Sequence, residues 1–417
     1  MKLKNIQSYV LSALILGTMV QKVEAMPMFS TQTGMDCSGC HAQIMPRLNK
    51  FGRKFAASGM TLSSQVDDMN INPSLLIKSK FSKTWDYPDG TGNSQGEESV
   101  FSPIRMSTFS TAGRINKNLG TLINLGFRQD EGGSISGKIV YVNEIEDGYW
   151  GIAAYSVPSF GPFAGMEFYN TGLYKPLRMF DMRIWSNSTQ STKIGTQEAT
   201  GLQVYFDKDN FIDTGDHFFI TMGVFTQAQD NSDINIIDNL LPFARVAYEY
   251  PIGNYNFILG AFAINGGDSV SENEEPSLKK ESYGLDLQIE GYISDKEALL
   301  TLTKIIKNKV EFTGIGVDDD DNANNHSFSM EGAVSIMPNL VLKTGYMTFN
   351  DLTNYDEDHQ DKIDVKDIDY AINLGIDYGF KLTDKLVKVA IEYAWMNPKL
   401  DRVKDYENFM VTFTLPL

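Results

Sequence analysis

Cysteine is nearly absent from this chain of 417 residues, which has two, Cys37 and Cys40. A bridge closing so short a loop constrains almost nothing, so a disulfide-stapled fold is excluded. Basic side chains are scarce beside acidic ones, 36 Lys and Arg against 53 Asp and Glu, and the net charge is −17. Phosphate binding needs clustered cations, so nucleic acid is excluded as a partner. Long apolar runs are missing too. The longest, Tyr9 to Val20, is too short to cross a bilayer as a helix, which excludes a helical membrane protein.

That single apolar run sits where a targeting segment belongs. Lys2 and Lys4 precede it, and Val23-Glu24-Ala25 follows with small residues at the positions a signal peptidase reads. Residues 1–25 are therefore expected to be a signal peptide, with the mature chain starting at Met26 outside the cytoplasm. The next feature requires that compartment.

Residues 37–41 read Cys37-Ser38-Gly39-Cys40-His41, the C-x-x-C-H spacing of covalent haem c attachment. Two thiols one turn apart can form thioethers to the two vinyl groups on one porphyrin edge. The adjacent His41 is then carried beneath the iron as proximal ligand. A redox dithiol and half of a zinc site are the plainer readings of the same residues. Zinc needs four ligands, and the other histidines, His217, His326 and His359, lie far downstream. A thioredoxin-like dithiol needs a βαβ context that the sequence lacks.

The surroundings suit a small helical module over residues 26–72. Pro46 is placed to open a short helix with Leu48, Phe51 and Phe55 on one face, and Gly59 to stop it. That face is expected to cover the porphyrin, with Arg47, Arg53 or Lys54 either meeting its propionates or simply solvated. The candidates for distal ligand are Met28, Met35, Met45, Met60 and Met69. Met45, four residues after His41, falls on the proximal side. Met60 follows the glycine stop, where the chain can return over the opposite face. It is the expected distal ligand, with Met69 or no protein ligand behind it.

From residue 73 the pattern changes to alternation of apolar and polar residues over segments of about ten residues. Residues 368–378 place Ile368, Tyr370, Ile372, Leu374 and Ile376 on one side and Asp369, Asn373 and Asp377 on the other. Segments of this kind fall at 75–87, 100–114, 121–129, 135–146, 149–157, 199–207, 217–227, 241–250, 254–265, 281–293, 296–306, 326–336, 339–349, 367–379, 384–395 and 406–416. Their connections alternate between tight turns and long polar loops. This predicts an all-β fold, a sixteen-stranded antiparallel outer-membrane β-barrel of residues 73–417, preceded by the small α-helical c-type cytochrome module. Residues 158–198 would be one long loop, folded into the lumen or hiding a further hairpin that raises the count to eighteen. A soluble sandwich or solenoid is the competing all-β reading.

Residues 73–417 hold 29 basic and 49 acidic side chains, so the barrel region carries −20. Asp318–Asp321 and the acids between 351 and 367 concentrate that charge on two loops. Such loops would gather cations at the mouth by electrostatic focusing, or be ordinary solvated surface.

Taken together, Pro27, Phe29, Gln32-Thr33-Gly34, Cys37, Cys40, His41, Pro46, Leu48, Phe51-Gly52-Arg53, Phe55 and Gly59 resemble the fused outer-membrane monohaem cytochrome–porins of iron-oxidising bacteria. The likeness covers residues 26–62. Ser30-Thr31 stands where family members have Ala-Arg, and Met60 stands where they have an aromatic residue. The resemblance implies one covalent haem c, extracellular Fe(II) as electron donor, and a periplasmic cytochrome or other carrier as acceptor. It implies an Fe(II)-oxidising electron-transfer cytochrome embedded in outer-membrane lipid. A polar-solute diffusion porin with a haem-bearing plug, and outward electron transfer to an external acceptor, are the competing functions.

Overall fold

The computed structural model of the protein describes residues 27–35, 37–42, 47–63, 69–86, 96–104, 107–128, 132–166, 173–182, 186–212, 214–227, 240–267, 277–313, 322–351, 368–382, 385–398 and 405–417. The expected signal peptide, Met45, Pro46, His359 and the acidic stretches 318–321 and 352–367 lie outside the described residues. Three short helical segments come first: α1 (Pro27–Thr33), α2 (Cys37–Cys40) and α3 (Lys50–Ala57). The wall begins with β1 (Asn70–Trp85), β2 (Glu97–Ser102), β3 (Ser107–Asn116), β4 (Leu119–Arg128), β5 (Gly132–Ile145) and β6 (Gly148–Val157). After a single turn, α4 (Ser188–Ser191), come β7 (Ala199–Asp209), β8 (His217–Thr226), β9 (Leu241–Ile252), β10 (Tyr255–Gly267) and β11 (Ser277–Ile293). The sheet finishes with β12 (Lys296–Thr313), β13 (Ala323–Met337), β14 (Leu340–Asp351), β15 (Ile368–Leu382), β16 (Lys385–Pro398) and β17 (Tyr406–Pro416).

Apart from β2 and β3, sequence-neighbouring strands pair antiparallel, and β17 returns to β1, so the sheet closes on itself. Seventeen strands make sixteen staves, because β2 and β3 lie end to end along β1. The break between them falls at Pro103, which has no N–H to give the ladder. Closure is completed at the C-terminus, where Leu417 exchanges both backbone hydrogen bonds with Leu75. A closed cylinder leaves no unpaired edge, the condition for a strand to sit in hydrocarbon.

Burial alternates along the staves in the sense opposite to a soluble protein. On β15 the outward side chains Ile372, Leu374 and Ile376 are 38%, 53% and 41% exposed, while Asn373 and Asp377 are fully buried. On β10 and β11, Leu259 and Leu285 face out and Asp286 and Gln288 face in. Apolar residues outside and polar ones within mark a membrane barrel and rule out the soluble sandwich. Turns of two residues at 117–118, 146–147, 253–254, 294–295 and 338–339 gather at one end, together with the start of β1 and the end of β17. Short turns with the chain ends belong on the periplasmic side of the outer membrane.

Two strands are longer than the alternation implies. Residues 277–280 and 308–313, expected in loops, continue β11 and β12 above the apolar belt. Leu278 and Val310 are apolar among them, but polar side chains also pair across the strands, as where Ser282 Oγ donates to Asn308 Oδ1 at 2.6 Å. Polar cross-strand pairing interrupts the hydrophobic signal there.

The connection 158–198 turns into the lumen, as one of the two expectations had it. Its described residues form two single 3-10 turns and α4, with no further hairpin, so the count stays at sixteen. Phe163 packs edge-on against Phe243 and Phe262, inward side chains of β9 and β10, at 5.3 and 5.7 Å. Further along, the backbone N–H groups of Asp181 and Met182 donate to Glu392 of β16, both at 2.8 Å. Asn187 Nδ2 donates to Glu331 of β13 at 2.9 Å.

Replacing Leu374 by Arg sets a charge on the lipid face mid-strand. The barrel should lose about 2–4 kcal/mol in urea unfolding from lipid micelles. Replacement of the same Leu374 by Val, which keeps the lipid face apolar, should leave the midpoint close to that of the parent.

Candidate functional site

One asparagine organises the C-x-x-C-H turn. Asn49 Oδ1 accepts the Gly52 N–H at 2.9 Å, capping α3. Its Nδ2 donates to the carbonyls of Ser38 (3.1 Å) and Gly39 (3.2 Å) in α2, and its backbone N–H donates to Cys40 O at 2.9 Å. The cap thus fixes α2 against the first turn of α3. Gly52 lies at that crossing, and a Cβ there would run into the Cys40 carbonyl oxygen.

The helix expected from Pro46 starts instead at Lys50, because Asn49 supplies the cap. Leu48 stands before it, bridged to His41 as an isolated antiparallel pair, so it is not part of one helical face with Phe51 and Phe55. Ala42 N–H donates to Arg47 O at 2.8 Å, closing the loop between them. The His41 ring Nδ1 lies 3.2 Å from the same carbonyl. A carbonyl only accepts, so Nδ1 carries the proton and Nε2 is the ring nitrogen suited to a metal. Cys40 is buried with a free thiol, and burial pushes that thiol up. A reactive redox dithiol has the opposite shift. The side chain of Cys37 lies outside the described residues. A haem c at this turn would meet an oriented imidazole and a buried thiol in the spacing it needs.

All of this lies inside the barrel at its short-turn end. Arg53 points from α3 to the wall, with Nη1 2.6 Å from Glu290 Oε1 and Nη2 3.0 Å from Oε2. Nη2 also donates to Glu249 Oε1 at 3.1 Å, and Nη1 to Leu48 O at 3.1 Å. Tyr205 of β7 donates its hydroxyl to Ala57 O at 2.7 Å, and Lys54 reaches Asp209 at 3.5 Å near the rim. Arg47 is fully buried, with Glu331 at 3.6 Å, and burial lowers its guanidinium to about 10. Wall carboxylates therefore occupy Arg53 and Lys54, two of the three side chains expected to meet propionates. Arg53 is buried in its pair, while Lys54 stays exposed at the rim as one of the expectations had it.

Phe55, Met60, Val140, Val142, Tyr149 and Phe219 share one apolar cluster, on which Phe29, Leu48 and Phe51 pack. The helix face expected to cover a porphyrin is thus turned in part to the wall. Phe29 meets Phe55 edge-on at 5.1 Å. Met60 has a φ of 64°, and Gln32 Nε2 donates to its carbonyl and that of Leu62, each at 2.7 Å. Met28 is buried, Met35 lies half-exposed against Gly39, and Met69 is exposed just before β1. Among the described residues no group of three or more His, Cys, Asp or Glu side chains is placed to hold a metal ion.

Sequence reasoning missed the docking partners Glu249, Glu290, Glu331 and Tyr205. Each is an inward residue of a recognised strand, so the alternation marks it as lumenal. Nothing local marks which of them face an inserted segment.

No family model matches the chain, and no curated protein matches it. Among solved structures, OmpT of Vibrio cholerae from the outer membrane is 11% identical, covering 85% of this chain and 99% of that one, with a TM-score of 0.48. The anion-selective porin of Comamonas acidovorans is 10% identical over 83% of this chain and 99% of its own, with a TM-score of 0.47. A BenF-like porin from Pseudomonas fluorescens is 11% identical over 84% and 98%, with a TM-score of 0.46. Identities this low carry no information about solute or cofactor.

Removing the Arg53 guanidinium takes the nearest cation from the buried Glu249, which keeps His217 and Asn256, and the bidentate partner from the part-buried Glu290. A fully buried pair broken by losing one member costs about 3–5 kcal/mol. Arg53→Ala should therefore release the N-terminal segment, read as faster cleavage between residues 27 and 69 by protease added to the detergent-solubilised protein. Lys54→Ala, at an exposed pair, should leave the cleavage rate at the parental value.

Proposed function

We propose that the protein carries electrons across the outer membrane, oxidising extracellular Fe(II) at a c-type haem attached through Cys37 and Cys40 with His41 as proximal ligand. A periplasmic cytochrome or similar carrier then takes up the electron. The observation that carries the reading is the C-x-x-C-H turn held inside a membrane barrel, with its histidine oriented by the Arg47 carbonyl. Bound haem supplies a one-electron couple at the iron. The chain's own residues do the rest. The Arg47 carbonyl fixes the His41 tautomer, Asn49 and Gly52 hold the thiol turn against α3, and Arg53 anchors that unit to β9 and β11.

Met60 remains the proposed distal ligand. Its support is its place after Gly59, in a left-handed turn on the far side of α3 from the Asn49 cap. The acidic loops support a cationic substrate, since a net charge of −20 over residues 73–417 favours approach of Fe(II) from outside. Iron in this scheme is substrate and leaves as Fe(III) without crossing the wall.

The diffusion-porin reading is weakened by what fills the barrel. The segment α1–α3 occupies the periplasmic end, and the 158–198 connection crosses the middle, contacting β12, β13, β14 and β16. Outward electron flow would use the same residues and differ only in the partner.

Two measurements separate these functions. Fe(II) added at near-neutral pH to the oxidised holoprotein should bring up the absorbance of the reduced haem, whereas no reduction would dismiss iron oxidation. Conductance of the full chain in planar bilayers should lie far below that of an open sixteen-stranded porin, and porin-sized steps would favour solute diffusion. Met60→Ala should convert a low-spin spectrum towards high spin, and an unaltered spectrum would remove Met60 from the iron.

A further inference from the structure

Arg47 is the most deeply buried cation of the N-terminal segment and the least satisfied. Its side chain is fully excluded from solvent, yet Nε, Nη1 and Nη2 all lack a hydrogen-bond acceptor among the described residues. Glu331 lies 3.6 Å away, close enough to balance charge and too far to accept a hydrogen bond. One of its oxygens is already engaged by Asn187 at 2.9 Å. A planar fork of five donors, buried and unmet, is a site built for a second carboxylate. The other basic candidates are occupied, Arg53 by Glu249 and Glu290 and Lys54 by Asp209.

The backbone places this fork beside the haem-binding turn, since the Arg47 carbonyl is the acceptor for His41 Nδ1 and for Ala42 N–H. One residue thus orients the imidazole through its main chain and presents a bidentate cation through its side chain. We propose that the Arg47 guanidinium is the binding site for a haem propionate, and that it holds that carboxylate ionised against Glu331. The assignment rests on the haem reading above. It makes Glu331 the meeting point of three parts of the molecule: the wall, the lumenal connection through Asn187, and the haem turn through Arg47.

Arg47 acts here as a positioning residue, and its charge acts on the iron couple. A buried cation next to the haem disfavours the oxidised, more positive state, so its removal should lower the midpoint potential. The charged groups facing it are Glu331 on β13 and Glu290 on β11, with the His41 ring on its own segment. Glu290 is held bidentate by Arg53, and Glu331 takes Asn187 on Oε2 while its buried Oε1 has no hydrogen-bond partner among the described residues, so the nearest oxygen of Glu331 stays 3.6 Å from the fork.

The test uses purified full-length holoprotein and two variants. In Arg47→Gln the midpoint potential should fall, and it should decline further with rising pH as the unsupported propionate ionises, while the parent shows little slope over the same range. In Arg47→Lys, which keeps the charge and loses the fork, the propionate bending mode in resonance Raman should shift while the potential stays near the parental value. An unshifted Raman mode in Arg47→Lys overturns the assignment, as does an unchanged potential in Arg47→Gln. Should Arg47→Gln not assemble, the Raman comparison in Arg47→Lys decides alone. A colourless parent protein is a different failure, that of the haem itself.

Discussion

A barrel whose inner face carries buried charge must fill its lumen with groups of the opposite sign. Here Asp207, Glu249, Asp286, Glu331, Asp377 and Glu392 all point inward and are nearly or fully buried. Some are answered from the wall itself, as Arg245 answers Asp286 at 2.6 and 3.0 Å and Lys343 answers Asp377 and Glu392. Others are answered by inserted chain as well as by wall neighbours such as His217, Asn256 and Gln288. Glu249 and Glu290 take Arg53, and Glu331 takes Arg47 and Asn187. Such pairs add little net stability over an apolar packing, but breaking one leaves a charge stranded. Their effect is to fix where the inserted segments sit.

Two segments enter from opposite ends and meet at Glu331. From the long-loop end comes the 158–198 connection, anchored by aromatic contacts near β9 and β10 and by backbone hydrogen bonds to Glu392. From the short-turn end comes the N-terminal segment, which carries the C-x-x-C-H turn. On the reading proposed above, a lumen occupied from both sides would hold a fixed charge carrier in place of an open solute path. The wall then insulates the site from lipid, and the acidic exterior bears on what approaches.

Much of the barrel was legible because lipid and lumen impose a period of two over long stretches. Ile372, Leu374 and Ile376 reveal β15 on inspection, and the tight turns at 294–295 and 338–339 pair β11 with β12 and β13 with β14. The ends of β11 and β12 were not legible, since polar pairs such as Ser282 with Asn308 interrupt the apolar face there. The break at Pro103 carries its own signal, a residue that cannot donate to the ladder. In the site, Cys37, Cys40 and His41 stand out by spacing alone. The start of α3 was misplaced because Asn49 caps it after Pro46, and a cap is visible only when its acceptor is known to face Gly52. The partners of Arg47 and Arg53 lie 196 residues or more away in sequence, and only the folded wall brings them near.

Everything functional rests on a porphyrin being joined covalently to this polypeptide within the outer membrane. The direct measurement is peroxidase staining for haem after the protein has been denatured in SDS from isolated outer membranes. Covalent attachment requires the stain to travel with the full barrel polypeptide and to vanish when Cys37 and Cys40 are both replaced by Ala. A barrel polypeptide that is abundant in those membranes and takes no stain contradicts it.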